Sequence, residues 1–300
     1  MRLRHIEVIQ ALMHGGSLSA AAELLQLPQD TVNATLQDAE SQSGLLLFAR
    51  VRGRLQATDE AMALAGALNR LDAPLEHIRR LAADMRLHQD TPLRVICTEP
   101  LAHRLLPQAL AALRRRFQDT PCQLLSQPTA SIVRSLLLRE GELGLSLHNP
   151  HHPDIDCVAL VEGKLQLLAP HGWLSPKHKY LGIQELAGQT MIGLEGQDPI
   201  SLRLEAKLEA LRPAPKVQTR VQNYQMMRSM VEAGEGLAVV DPFTAAGARE
   251  AGLDVCPISP AVPVTLYALT LKGQEPGAAA KALLEIVIQK AQMLVGTATP

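Results

Sequence analysis

Between residues 64 and 85, Leu64, Leu68, Leu71, Leu75, Ile78, Ala82 and Met85 are spaced alternately four and three residues apart. That is a heptad seam, the spacing that lets two helices pair along their length. No other feature constrains the chain as much. A stripe of this kind needs a partner, and it separates two segments with different periodicities. An ordinary amphipathic helix on a globular core is the alternative, but the position between unlike regions favours the seam. Pro74 lies inside it and predicts a kink, because its ring removes a donor and crowds the preceding turn. Gln89-Asp90-Thr91-Pro92 then reads as a hinge. The expected division is a domain over 1–58, a dimerising linker helix over 59–89, and a domain over 90–300.

The first segment reads as short helices. Leu3, Ile6, Ile9 and Met13 keep a helical period that Gly15-Gly16 ends. Ser17 is placed to cap a helix over Leu18 to Leu25. Gln26-Leu27-Pro28 turns the chain into a third helix from about Gln29 to Gln42, with Val32, Leu36 and Ala39 on one face. Arg50-Val51-Arg52-Gly53-Arg54-Leu55 follows as a short basic hairpin with glycine at its tip. Two helices at a tight turn followed by such a hairpin form a winged helix-turn-helix pattern, expected to be all-α apart from its wing.

After the hinge, strands alternate with helices. Leu93 to Cys97, Cys122 to Leu125 and Leu143 to Leu147 read as strands, separated by helices over Leu101 to Phe117 and Ser131 to Arg139. This order predicts a parallel sheet with ligands at the carboxyl ends of its strands. Leu165 to Ala169 crosses into a second unit with strands at Thr190 to Leu194, Val217 to Val221 and Leu237 to Val240. Its helices are Leu202 to Leu211 and Tyr224 to Ala233; Val264 to Leu271 returns, and Ala278 to Leu294 closes the chain. The expectation is two α/β lobes around a cleft, lobe I near 90–162 and 265–300 and lobe II near 163–264.

Composition narrows the function classes. The 300 residues carry a formal charge of −1, with 47% apolar and 20% charged side chains, which excludes a disordered chain. No run approaches the roughly 20 apolar residues that span a bilayer, and the start lacks an apolar signal core, so a cytosolic protein without membrane contact is expected. Cys97, Cys122, Cys157 and Cys256 are far apart, which argues against disulfides and zinc knuckles. Cys97 and Cys122 read as small buried apolar residues. His148, His151 and His152 share a proline-punctuated loop with no adjacent carboxylate before Asp154, a poor metal site. No GxSxG, P-loop or GxGxxG pattern follows a strand, so neither an enzyme nor a cofactor is expected.

The ordered set Leu3-Arg4-His5-Ile6-Glu7, Gly16 to Leu25, Gln29…Val32…Leu36…Glu40 and Leu47-Phe48-Ala49-Arg50…Arg54…Thr58 resembles LysR-type transcriptional regulators. Val231-Glu232-Ala233-Gly234-Glu235-Gly236-Leu237-Ala238-Val239-Val240-Asp241-Pro242 is similar to that family's late motif. The resemblance covers nearly the whole chain. It implies a DNA-binding domain, a linker-helix dimer and a periplasmic-binding-protein-like effector domain. The expected partners are an operator duplex, a small effector of the carboxylate or amino-acid class, further copies in a dimer or tetramer, and RNA polymerase. A solute-binding protein or an enzyme on the α/β lobes is the alternative, but neither accounts for the first 88 residues.

The implied DNA contacts are Ser17 and Ser19 at the first helix of the motif, Gln29, Asp30, Thr31 and Asn33 on the second, and Arg50, Arg52 and Arg54 in the wing. The second helix departs from the family, because Asp30 stands where a proline is usual and the basic residues that often follow are absent. Residues 1–60 hold five arginines against seven carboxylates, a formal charge of −2, with no Lys or Arg between Arg4 and Arg50. Phosphate neutralisation therefore falls to the wing, and base readout to uncharged amides and hydroxyls. In the second domain the resemblance places the effector among the loops after strands: Thr98, Glu99, Pro100, Gln127, Pro128, Thr129, His148, Gln197 and Asn223. Thr98 and Thr129 either offer hydroxyls to an anion at helix starts or merely cap those helices. Glu99 and Glu195 would repel a simple anion; a zwitterion with an ammonium group reconciles both.

Overall fold

The computed structural model describes residues 1–51, 54–64, 92–175, 178–196 and 198–297. Within these the chain forms two compact units, Met1–Gln89 and Asp90–Pro300. The heptad positions beyond Leu64, together with Arg52 and Gln197, lie outside the described residues.

The first unit packs α1 (Leu3–Gly15), α2 (Leu18–Leu25) and α3 (Gln29–Ser43) around Val8, Ile9, Leu12, Ala21, Val32, Leu36 and Ala39. Gly16 closes α1 at φ 66°, a left-handed conformation that costs glycine little. Ser17 caps α2 by accepting from the Ala20 amide at 3.2 Å. The wing pairs β1 (Phe48–Val51) antiparallel with β2 (Arg54–Ala57), Val51 opposite Arg54. Glu40 Oε1 fastens the wing to α3 by accepting from the amides of Leu47 at 2.8 Å and Phe48 at 3.1 Å.

The second unit has two sheets. In lobe I, β3 (Leu93–Cys97), β4 (Cys122–Ser126) and β5 (Leu143–Ser146) are parallel, as the alternating pattern predicts. The sheet as a whole is mixed, however. Its order is β4-β3-β5-β13-β6, with β13 (Pro263–Leu271) antiparallel to both β5 and β6 (Ile155–Lys164). β6 escapes sequence reading because it is an edge strand with one face open: Val158 is 57% exposed, so no continuous buried run forms. The single helix expected over Leu101 to Phe117 is two: α4 (Glu99–His103) and α5 (Leu105–Leu113). Pro107 accounts for the break. In a continuous helix its ring would meet the His103 carbonyl, whereas in the first turn of α5 its missing donor costs little. α6 (Thr129–Leu137) packs Ile132 and Leu136 against the opposite face of the sheet.

At Leu165 the chain crosses to lobe II, and it returns between β12 (Asp254–Ser259) and β13. Lobe II aligns β11 (Ala238–Val240), β7 (Gln166–Ala169), β12 and β8 (Leu181–Gly182) in one sheet. A parallel pair, β9 (Thr190–Leu194) and β10 (Lys216–Val221), joins it through Met191 and Leu237. Gly236 makes that junction possible: φ is 152°, and a Cβ there would lie 2.8 Å from the Thr190 carbonyl oxygen. α7 (Pro199–Glu209) and α8 (Tyr224–Glu232) flank the pair, α9 (Pro242–Ala245) follows β11, and α10 (Ala278–Thr297) covers lobe I.

Candidate functional site

In the first unit, α3 buries Val32, Leu36 and Ala39 and turns its first residues outward. Gln29, Asp30 and Thr31 are exposed and Asn33 is half-buried. Ser17 is engaged as the cap of α2; its hydroxyl lies 3.3 Å from that of the exposed Ser19. The acidic excess of the unit is partly absorbed internally. Glu40 holds the wing, Asp38 pairs with the buried His5 at 2.9 Å, and Glu7 lies 3.5 Å from Arg4. Asp30 is different: it is exposed in the first turn of α3, where the helix dipole favours it. Arg50 and Arg54 lie on the two wing strands, opposite Leu55 and Val51 respectively.

In the second unit a cleft of about 810 Å³ opens between the lobes, within the range of small-molecule sites. Of the residues singled out from the sequence, Thr98, Glu99, Pro100, Gln127, Pro128, Thr129, His148 and Asn223 line it. The reason is topological: each follows a strand carboxyl end of a parallel α/β unit.

The lining is largely apolar, and its few polar groups are arranged in a particular way. Thr98 stands at the N-cap of α4 but makes no side-chain cap bond. It is only 9% exposed, and its buried Oγ1 has no partner, as is also true of the buried Glu99 Oε2. The other Glu99 oxygen accepts from His103 Nε2 at 2.9 Å. Thr129 is the first residue of α6 rather than its cap; its hydroxyl shares a 2.8 Å hydrogen bond with Ser146, which also accepts from the His148 amide.

Across the cleft, His148 Nε2 of lobe I donates to Asp198 Oδ1 of lobe II at 2.8 Å. The other Asp198 oxygen accepts from the Tyr224 hydroxyl at 2.7 Å and from the Ser201 amide at 2.9 Å. Burial alone would raise the Asp198 carboxyl. The hydrogen bonds from His148, Tyr224 and Ser201 outweigh it and hold the group below its ordinary value. Tyr224 moves the opposite way, pushed up by burial and by the Asp198 charge. Asn223 caps α8 by accepting from the Met226 amide at 2.8 Å.

Asp198 and Tyr224 stand in the second-lobe loops that the sequence offers for the effector, Glu195-Gly196-Gln197-Asp198 and Asn223-Tyr224, though outside the residues carried over as its site. Asp-Pro at 198–199 does carry a local signal, a cap followed by proline at the first helical position. Nothing local says that the same carboxylate meets His148, which is fifty residues away. Behind the cleft a second bridge joins the lobes. Arg104 Nη1 donates to the Ala246 carbonyl at 2.7 Å, and Nη2 pairs with Glu250 at 2.7 Å. Cys97 is buried and its thiol is pushed up to about 12, first by burial and then by Glu99. Among the described residues no set of His, Cys, Asp and Glu is arranged to hold a metal.

Residues 3–62 match the family described as "Bacterial regulatory helix-turn-helix protein, lysR family", and residues 88–292 match "LysR substrate binding domain". The transcriptional activator protein LysR of Escherichia coli (strain K12) is 31% identical over 269 residues, 89% of this chain and 86% of that protein. The HTH-type transcriptional regulator DgcR of Pseudoalteromonas sp is 26% identical over 274 residues, 91% of this chain and 94% of its own. Among solved structures, full-length CbnR complexed with its target DNA superposes with a TM-score of 0.67 at 18% identity, covering 97% of this chain and all of that one. Full-length BenM gives 0.55 at 18% identity, covering 100% and 99%. At such identities the two structures speak to the fold.

Proposed function

The chain belongs to the LysR family of bacterial transcriptional regulators, and on that premise we propose that it binds a two-fold operator as a dimer or tetramer and answers to a small effector held between the α/β lobes. The observation that carries this reading is the outward face of α3. Gln29 and Thr31 are exposed beside Asn33, on a helix whose opposite face is buried in the core of the unit. Such a helix enters the major groove and meets base edges with its first residues, where Gln and Asn pair with adenine. Ser17, Ser19 and Asp30 lie at the helix starts that face the duplex. Arg50, Arg52 and Arg54 supply the phosphate contacts, supported by the lack of other cations between Arg4 and Arg50. Likeness to a structure complexed with target DNA supports the duplex as partner.

The effector is of the carboxylate or amino-acid class and sits among Thr98, Glu99, Pro100, Gln127, Pro128, Thr129, His148, Gln197 and Asn223. A regulator of this type works in the cytoplasm and hands its signal to RNA polymerase. Among the described residues no helix is long and apolar enough to cross a membrane. An enzyme or a solute-binding protein on the same lobes is not favoured, since neither uses a helix-turn-helix.

Selection of duplexes from a random library by the full chain, followed by sequencing, tests the reading. The expected product is a dyad with half-sites about one helical turn apart, or a multiple of that, lost on removal of residues 1–58. Equal retention of DNA by the truncated chain would refute it.

A further inference from the structure

Every fixed charge that the described residues contribute to the cleft lining is a carboxylate: Glu99, Glu195 and Asp198, with His148 and His152 as the titratable bases and no Lys or Arg. Asp198 is spoken for, because His148, Tyr224 and the Ser201 amide occupy both of its oxygens. Glu99 is not. Its Oε2 is buried without a partner, as is Oγ1 of Thr98, the preceding residue, which is nine-tenths buried and leaves its own helix uncapped. Buried polar atoms in native folds are almost always paired, so two adjacent orphans on a cleft wall mark where a ligand makes its bonds. The carboxylate oxygen can only accept, and a hydroxyl can accept as well, so the complementary group is a donor with several hydrogens. The Glu99 charge also acts beyond its own helix: after burial it helps to raise the Cys97 thiol and the Asp241 carboxyl, and after burial, Asp198 and Asp241 it helps to raise the Tyr224 hydroxyl. A simple anion would enter this field with no fixed cation to meet it.

Resting on the reading of the cleft as the effector site, we infer that the effector carries a primary ammonium group, received by the Glu99 carboxylate and the Thr98 hydroxyl. In an amino acid the carboxylate lies at the other end, toward the start of α6, where Thr129 and Ala130 line the cleft and the first amides of a nine-residue helix have no intrahelical acceptor. The ammonium is the part of the molecule the site requires; the carboxylate is the part it accommodates.

The test is calorimetric titration of the full chain with four chain-matched probes: L-lysine, cadaverine, 6-aminohexanoate and adipate. At least one amine-bearing probe is expected to bind, and adipate is not. Glu99→Gln keeps an acceptor for His103, removes the charge and turns the unpaired acceptor into a donor, so it opposes an ammonium on both counts. It should weaken the bound amine by tenfold or more, and Thr98→Val by several-fold, with both variants melting like the wild type. Adipate binding that tightens in Glu99→Gln overturns the ammonium while leaving the cleft as the effector site. Amine binding indifferent to both substitutions, or no binding by any of the three amines, also overturns it. Failure of the regulator reading is read separately, as failure of the chain to select any duplex.

Discussion

On the proposed reading, Asn33 and the wing arginines divide two tasks: base readout and phosphate neutralisation. Asn33 lies beside exposed Gln29 and Thr31 on a helix start that carries no cation and one exposed acid, Asp30. Truncating a bidentate base contact removes about 1–3 kcal/mol of discrimination at one position. Asn33→Ala is therefore expected to relax preference at one base pair and leave the salt dependence of binding nearly unchanged. Arg52→Ala and Arg54→Ala should act differently. Each is expected to lower affinity for every duplex and to reduce the slope of log affinity against log salt by about one, because one fewer counterion is released. Salt titrations of operator and random duplexes with the three variants check the division. A wing variant with the wild-type slope contradicts it, as does Asn33→Ala weakening all duplexes alike.

At the scale of elements, the short helix α9 depends on one carboxylate. Asp241 is fully buried and accepts from the Phe243 amide at 2.8 Å, the Thr244 amide at 3.0 Å and the Thr244 hydroxyl at 2.5 Å. Burial nevertheless dominates these bonds and pushes the group up from 3.8 to about 6. Its folded value lies above its unfolded one, so the folded state holds the proton longer. The contribution of this group to stability therefore falls as the pH rises from about 4 to about 6, by on the order of 3 kcal/mol, and is flat above. Asp241→Asn cannot titrate. Urea unfolding across pH 4 to 6.5 should show the variant gaining on the wild type as the pH rises; parallel curves would contradict the shift. The linker heptads make a second prediction at this scale. A charge in the stripe, Leu71→Asp or Ile78→Asp, should weaken self-association, seen as a lower molar mass at low concentration in sedimentation. An unchanged mass would place the dimer contact elsewhere.

Across the effector-binding unit, side-chain bridges join the lobes at the cleft, through the His148–Asp198–Tyr224 chain, and behind it, through Arg104 on Ala246 and Glu250, beside an apolar core that both lobes share. The first lies on the cleft lining, so with the effector in the proposed site ligand binding and lobe closure would share atoms. His148→Ala removes the lobe I partner of a carboxylate that is mostly buried. The expected cost is about 1–3 kcal/mol, with a larger radius of gyration by small-angle scattering. Because the Asp198 value is depressed, its contribution is present above the ordinary carboxylate range and lost as the pH falls through it. The variant should therefore differ from the wild type at pH 7 and converge with it on acidification. A scattering profile and stability unchanged at pH 7 would show that the clasp does not hold the lobes.

Much of this molecule was present in its periodicities. The helix-turn-helix, the alternation of strands and helices, and the loops that line the cleft follow from local rules: buried stripes, capping residues, glycine stops, and ligand loops at strand carboxyl ends. What local rules missed were elements whose stabilisation is non-local. β6 is an edge strand recognised only by its pairing with β13, and β12 contains Pro257, which argues against a strand until Gln166 is seen opposite it. The break at Arg104, by contrast, has a local cause in Pro107. The cleft shows the same boundary. Thr98 and Glu99 are nameable from their place after a strand, but their unpaired atoms are not. A threonine before a helix reads equally as a cap or as a ligand group, and only the folded geometry leaves its hydroxyl uncapped. Asp198 reads locally as a cap alone; tertiary packing brings His148 to it. Sequence periodicity determines which surfaces must be buried, because burial is a property of a stripe or face. Which polar atoms remain unpaired is decided only when distant segments close around them, because hydrogen bonding is short-ranged and indifferent to order along the chain.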